Sequence, residues 1–156
     1  MTPDVVEVRP VTDADREGVM ALAPRLAEGV AAWRDRSAAI AAAGSWLADS
    51  LARAAEGRAG VFVAVRGGTV VGVVSVSEQR HFTGAVDGYV GELAVAAHAS
   101  RQGVGRLLMA AAERWARDRG LRHLTLQTGA ANATALRFYE ALGYRPEEIR
   151  LTRALD

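Results

Sequence analysis

The sequence predicts an α/β fold of the α+β kind, with a mixed, mostly antiparallel sheet of about six or seven strands and helices on both faces. Three observations carry that expectation. Valine-rich runs at 5–11, 61–65 and 69–77 have the composition and alternation of half-buried strands. Arg66-Gly67-Gly68 is a hairpin signal between two of those runs. From Asp87 onward, strand-like and helix-like segments follow one another in a β-α-β-α-β order.

Taken in order, Val5–Val11 is β-branched and alternating, a first strand. Thr12-Asp13 offers an N-cap for a helix over Ala14–Ala23, with Pro24 as its stop. Residues 25–56 are rich in Ala and Arg and predict one or two helices, broken near Gly29 or Gly44. Trp33 and Trp46 belong here; burial of helix faces is the favoured role for both, the lining of a substrate pocket the other. Val61–Val65 and Thr69–Ser77 form the hairpin strands, and 78–86 is a polar, Gly-containing loop. Asp87–Val95 is the next strand and Gly103–Arg119 the next helix, with Gly120 where a C-cap belongs. Leu121–Thr128 reads as a strand, Asn132–Leu142 as a helix closed by Gly143, and Ile149–Arg153 as a last strand.

Composition bounds the function. At 156 residues, half hydrophobic and a quarter charged, the chain suits one domain spanning 1–156. A net charge of +1 gives no footprint for nucleic acid or a membrane surface. All 19 basic side chains are Arg, from which no functional conclusion follows. The absence of Cys removes thiolate metal ligands and a cysteinyl acyl-enzyme, and no metal is expected. The start, MTPDVVEVRP, has neither the leader nor the apolar run that would direct the chain to or across a membrane, so the expected location is the cytoplasm.

The stretch Glu92–Trp115 organises the rest. A strand (Glu92, Leu93, Ala94, Val95) runs through Gln102-Gly103-Val104-Gly105-Arg106 into a helix whose Val104, Leu107, Leu108, Ala111, Ala112 and Trp115 share a face. The first turn of a helix has N–H groups without internal partners and a partly positive dipole end. Glycines there let a phosphate approach the backbone, so this order of parts forms a pyrophosphate cradle. A P-loop would need Gly-Lys-Ser/Thr, but Gly105 is followed by Arg106-Leu107. A dinucleotide fingerprint would need a third glycine near Leu108 and an acid ending the next strand, which instead ends Leu126-Gln127-Thr128.

Residues 100–105, Ser-Arg-Gln-Gly-Val-Gly, resemble the acyl-CoA loop Arg/Gln-x-x-Gly-x-Gly/Ala of the Gcn5-related N-acetyltransferases, with Ser100 departing at the first position. Asn132–Tyr144 resembles the same family's second signature, Asn-x-x-Ala-x-x-Phe-Tyr-Glu-x-Leu-Gly-Phe/Tyr. The two motifs stand in the right order, a helix and a strand apart, and the likeness covers roughly residues 60–145 well.

The resemblance implies the acyl-CoA N-acyltransferase fold and acetyl transfer from acetyl-CoA to a primary amine. It implies a bulged strand in which backbone groups of Leu93, Ala94 and Val95 meet the pantetheine arm. It implies backbone contacts to the pyrophosphate across Arg101, Gln102, Gly103, Val104, Gly105 and Arg106, with Asn132 on the arm. Tyr139, protonated at neutral pH by its ordinary pKa, would donate to the departing thiolate. Glu92 would serve as base if it faces the cleft; Glu78, His81 and Asp87 are weaker candidates, and His98 lies by the phosphate loop. In the branch that acetylates ribosomal-protein N-termini, a Glu stands where this chain has Gln127, so that activity is not implied. An amine-bearing small molecule or a peptide is the implied partner. Many members are dimers, which no residue here bears on. A non-catalytic acyl-CoA-binding sensor or scaffold and a nucleotide-binding domain are the alternatives.

Overall fold

The computed structural model describes residues 5–156. The opening residues 1–4, which belong to the N-terminal stretch discussed above, lie outside the described residues. Five strands form one sheet in chain order: β1 (Glu7–Pro10), β2 (Ala59–Arg66), β3 (Thr69–Arg80), β4 (Val86–Val95) and β5 (Leu124–Leu126). The first four pair antiparallel and β5 pairs parallel with β4, so the sheet is mixed and mostly antiparallel. The helices are α1 (Arg16–Met20), α2 (Ala23–Leu26), α3 (Arg36–Ala55), α4 (Val104–Asp118) and α5 (Ala133–Ala141).

Side-chain alternation along β3 sorts the helices onto two faces. A Cβ on Gly72 would meet Leu108 and Val104 of α4, whereas Ser75, three residues on, points to the face shared with Ser50 of α3. Glycines recur under α4. A Cβ on Gly60 would stand 2.6 Å from the Trp115 ring, one on Gly72 2.8 Å from Leu108, and one on Gly88 3.2 Å from Ala116. The helix therefore lies sunk in a trough that only glycine leaves open. Leu108, Met109, Ala112 and Val104 fill it and are fully or almost fully buried on the face of β3 that carries Val74 and Val76. The Arg119 guanidinium covers the outer face of Trp115, 3.7 Å from its ring centre.

Several sequence expectations change. Five strands form among the described residues, where about six or seven were expected. Ile149–Arg153 alternates as a strand should, but no backbone among the described residues pairs with it, and Ile149 and Leu151 are exposed. Propensity without a partner edge does not make a strand. Pro24 does not end a helix; it occupies the first turn of α2, where its missing N–H is not needed. Its predecessor is instead a single turn, Asp13–Asp15, running into the short α1. Of the two proposed breaks, Gly29 is real, with φ +80°, while α3 runs unbroken through Gly44. Asp35 caps α3, its carboxylate accepting from Ala38 N at 2.7 Å. The polar loop shortens to 81–85 because β3 and β4 stay paired out to Arg80 and Val86. Trp33 and Trp46 do not bury helix faces: both are exposed. Among the described residues, no helix is long and apolar enough to cross a membrane.

Candidate active site

β4 is where the sheet opens. Its pairing to β5 covers only Gly88 to Val90. On the other side its register with β3 slips between Ser75 and Val76, which leaves Gly91 as an extra residue, a β-bulge. Beyond the bulge β4 follows β3 and loses β5. Ala96 N donates to Val71 O on the β3 side, so alternation turns the polar groups of Val95 and Leu93 the other way, toward the gap. Ala94 lies between them, its carbonyl 3.2 Å from where a Gly72 Cβ would be, on the β3 side. Of the three residues expected to meet a pantetheine arm, Ala94 is thus the one whose backbone is turned away.

A cavity of about 190 Å³ occupies the gap. Gly91 and Leu93 form one wall, and Leu126, Gln127 and Thr128 another. Arg25 of α2, Glu28 just after it and Trp46 of α3 close it on one side; Ala135 and Tyr139 of α5, with its N-cap Asn132, close it on another. The connection after α2 presses directly on the chain after β5: a Cβ on Gly129 would fall 2.0 Å from Gly29 O, and one on Gly29 2.4 Å from Asn132 Cβ. Arg25 reaches into the gap, its Nε donating to Val95 O at 2.8 Å while Nη1 pairs with Glu28.

At the end of β4 the chain turns through Ala97–Ala99 to the loop at 100–103. Ser100 Oγ donates to Ala97 O at 2.7 Å, and Gln102 is held twice, donating to His98 O and accepting from Arg66 at 2.6 Å. Arg66 Nε is a buried nitrogen with no partner among the described residues. Arg101 has φ +62°, a left-handed conformation uncommon outside glycine, and Gly103, the N-cap of α4, has φ +81°. Leu107 N is bonded to Gly103 O, so the N–H groups of Val104, Gly105 and Arg106 form the first turn that has no helical partners. A Cβ on Gly103 would meet nothing within 4 Å, which leaves the approach to those amides clear. The residues present therefore fit a diphosphate, with the exposed Arg101 and Arg106 beside it.

Asn132 caps α5, its Oδ1 accepting from Ala135 N at 3.1 Å, and its side chain also lines the cavity. Tyr139, one helical turn beyond Ala135, stands edge-on between Phe138 and Tyr144, with ring centres at 5.1 and 5.8 Å. Burial pushes its hydroxyl up to about 12, so it stays protonated. Tyr144 is held in turn by Glu113 of α4, to which its hydroxyl donates at 3.1 Å.

Glu92 does not line the cavity. It is 5% exposed and turned to the α3 face, behind the wall residues Gly91 and Leu93. Ser50 Oγ donates to its Oε1 at 2.7 Å and Ser75 Oγ to its Oε2 at 2.8 Å. Burial raises its carboxyl above the ordinary range, against the pull of both hydroxyls. The weaker candidates lie elsewhere: Glu78 is exposed on β3, His81 bonds Thr83 in the turn, and Asp87 is buried 3.8 Å from His123. His98 is exposed and contributes only its carbonyl. Gln127 is on the cavity wall. Sequence reasoning missed Arg25, Gly29, Ser50, Ser75 and Gly129; only the glycines left a signal, as isolated punctuation with no partner named.

A sheet parted at a bulge, with a helix start of unpartnered amides beyond the end of the parted strand, is the architecture of an acyl-CoA-type transferase. The sequence profile of the Acetyltransferase (GNAT) family matches residues 27–144. This chain belongs to that family. It is 36% identical over 108 residues to a mycothiol acetyltransferase of Thermobispora bispora, covering 65% of this chain and 36% of that protein. It is 37% identical over 94 residues to the aminoalkylphosphonate N-acetyltransferase of Salmonella typhimurium, covering 60% of this chain and 61% of that one. The chain thus spans about a third and three fifths of these relatives. The PaiA N-acetyltransferase of Thermoplasma acidophilum, solved with coenzyme A, superposes with a TM-score of 0.78 at 16% identity, over 94% of this chain and 93% of that one. A GCN5-related N-acetyltransferase of Ralstonia eutropha gives 0.74 at 24% identity, over 96% and 99% of the chains.

Proposed function

We propose that this chain, acting as one domain, transfers an acetyl group from acetyl-CoA directly to a primary amine. The observation that carries the reading is the single gap in the sheet, which brings Leu93, Asn132 and Tyr139 onto one cavity beside the unpartnered first turn of α4. The amides of Val104, Gly105 and Arg106, with Gln102 and Gly103, hold the diphosphate, and Arg101 and Arg106 add charge-assisted bonds. Leu93 and Val95 offer the backbone edge along which an acyl-pantetheine arm lies. An N–H on that edge, aimed at the thioester oxygen, stabilises the developing oxyanion by about 3 kcal/mol.

The acceptor's nitrogen gives its proton to solvent, since Glu92 stands behind the cavity wall with both oxygens bonded to serines. Tyr139 O–H gives its proton to the departing thiolate sulfur. Family membership supports the acetyl donor, and the absence of Cys favours direct transfer over a cysteinyl intermediate. The Salmonella relative is named for an aminoalkylphosphonate, which makes small amine-bearing molecules the first acceptor class to try, with peptide N-termini next. The location that suits such a donor is the cytoplasm.

The test is coenzyme A binding by calorimetry, together with thiol release from acetyl-CoA against a panel of aminoalkylphosphonates, aminoglycosides and peptides. Binding with thiol release from at least one amine is expected. Binding without release from any would leave an acyl-CoA sensor or scaffold. No binding would overturn the reading altogether.

A further inference from the structure

Arg66 is the last residue of β2, and Gly67 and Gly68, at φ +54° and φ +78°, turn the chain straight back into β3. That tight hairpin fixes the root of the Arg66 side chain at one corner of the sheet. From the corner the guanidinium crosses to the loop after β4, where Nη2 donates to Gln102 Oε1 at 2.6 Å, 36 positions away in sequence. The reach has a cost. Arg66 Nε is buried with no partner among the described residues, so one donor is left unmet while another serves Gln102. Gln102 is tied at its other end too, its Nε2 donating to His98 O at 3.2 Å. This doubly held residue stands between the two left-handed residues of the loop, Arg101 at φ +62° and Gly103 at φ +81°. Glycine takes that conformation freely, whereas arginine does so rarely. Such strain persists only where the surroundings impose it, and the tethers on Gln102 are the restraint next to Arg101.

We propose that Arg66 is a positioning residue for the donor site: through Gln102 it braces the 100–103 loop with Arg101 left-handed, the shape that presents the open amides of α4 to a diphosphate. The inference rests on the acetyltransferase reading above. Its size follows from populations. A site formed in only a fraction of molecules binds with its affinity reduced by that fraction. Without the brace, an arginine at position 101 keeps the left-handed shape in a minority of molecules. A glycine at that position keeps it in about half, brace or no brace. The brace therefore matters because residue 101 carries a side chain.

The test is a cycle of Arg66→Ala and Arg101→Gly, read by calorimetric affinity for coenzyme A, with KM and kcat for thiol release from acetyl-CoA measured beside it. Arg66→Ala alone should weaken binding by about tenfold and raise the KM for acetyl-CoA more than it lowers kcat. In the Arg101→Gly background the same substitution should cost about twofold or less. Gln102→Ala should reproduce the loss, and adding Arg66→Ala to it should change little. An equal loss in both backgrounds overturns the brace and makes Arg66 a direct partner of a phosphate. Unchanged affinity in Arg66→Ala overturns it as well. A kcat that falls in step with affinity, together with a lowered melting point, assigns Arg66 to the fold instead. No binding by the wild-type chain would overturn the acetyltransferase reading itself, an outcome distinct from all of these.

Discussion

Arg25 Nε donates to the carbonyl oxygen of Val95 at 2.8 Å, so the edge of β4 that leaves β5 is held by α2. The same guanidinium pairs with Glu28, so one side chain ties the cavity's roof to its wall. Arg25→Ala should lower stability by about 1–2 kcal/mol. For a chain of this size the melting temperature should then fall by roughly 3–6 °C. Arg25→Lys should recover only part, because an ammonium cannot bond Val95 and Glu28 with a fixed fork. Differential scanning calorimetry decides it; an unchanged melting point for Arg25→Ala would mean the contact carries no net stability.

Tyr139→Phe should cut turnover by about tenfold or more while leaving coenzyme A affinity nearly unchanged. With its hydroxyl pushed up to about 12, wild-type Tyr139 should contribute no alkaline limb below about pH 11. Steady-state kinetics across pH, set beside calorimetric affinities, separate this from a packing role. A loss of binding in step with turnover would assign Tyr139 to packing.

Gly103 and Gly29 make a matched pair, both left-handed at φ +81° and φ +80°. A methyl on Gly103 meets open space, so Gly103→Ala should cost about 1 kcal/mol in backbone strain and act mainly on coenzyme A binding. A methyl on Gly29 would fall 2.4 Å from Asn132 Cβ, so Gly29→Ala should destabilise the fold by clearly more. Paired melts and affinity measurements check the order; equal losses of stability would refute it.

Asp15 is almost fully buried and bonded by both Arg9 nitrogens, at 2.7 and 2.9 Å, and by Thr12 N at 2.8 Å. The Arg9 hydrogen bonds, ahead of the opposing effect of burial, hold its carboxyl down at about 2. A depressed folded-state pKa contributes stability that is present above the ordinary value near 3.8 and lost as pH falls toward about 2. Asp15→Asn should therefore lower stability at neutral pH and flatten the fall between about pH 4 and pH 2. Urea midpoints taken across that range are the measurement, and parallel curves for the two proteins would refute the assignment.

The sheet was legible because its strands are Val-rich and punctuated by Gly67-Gly68 and Gly120, local signals that tertiary contacts did not override. The turn at Gly103 was legible for the same reason, since its left-handed φ is local, whereas Gly105 is required by Phe138, 3.1 Å from where its Cβ would be, a contact no local signal names. The bulge at Gly91 was not, since register is a relation between β3 and β4 that neither strand carries alone. The orientation of Glu92 followed from that bulge and was hidden with it. Ile149–Arg153 misled because alternation records only one side of a pairing. Trp33 and Trp46 misled as helix-face residues because composition cannot say which aromatics the fold leaves exposed, and Trp46 instead takes the pocket-lining place that was the other reading.

Gly60, Gly72 and Gly88 act as removed shims beneath α4. Val104, at the mouth of the phosphate loop, and Trp115, near the helix's far end, ride on the same three vacancies. Adding one methyl under either end would tilt the whole rod and, under the proposed function, lift its amides off a diphosphate that no strand glycine touches. The proposed grip on the donor would thereby depend on places a ligand-contact map leaves blank, and a methyl there should weaken coenzyme A affinity as well as the fold.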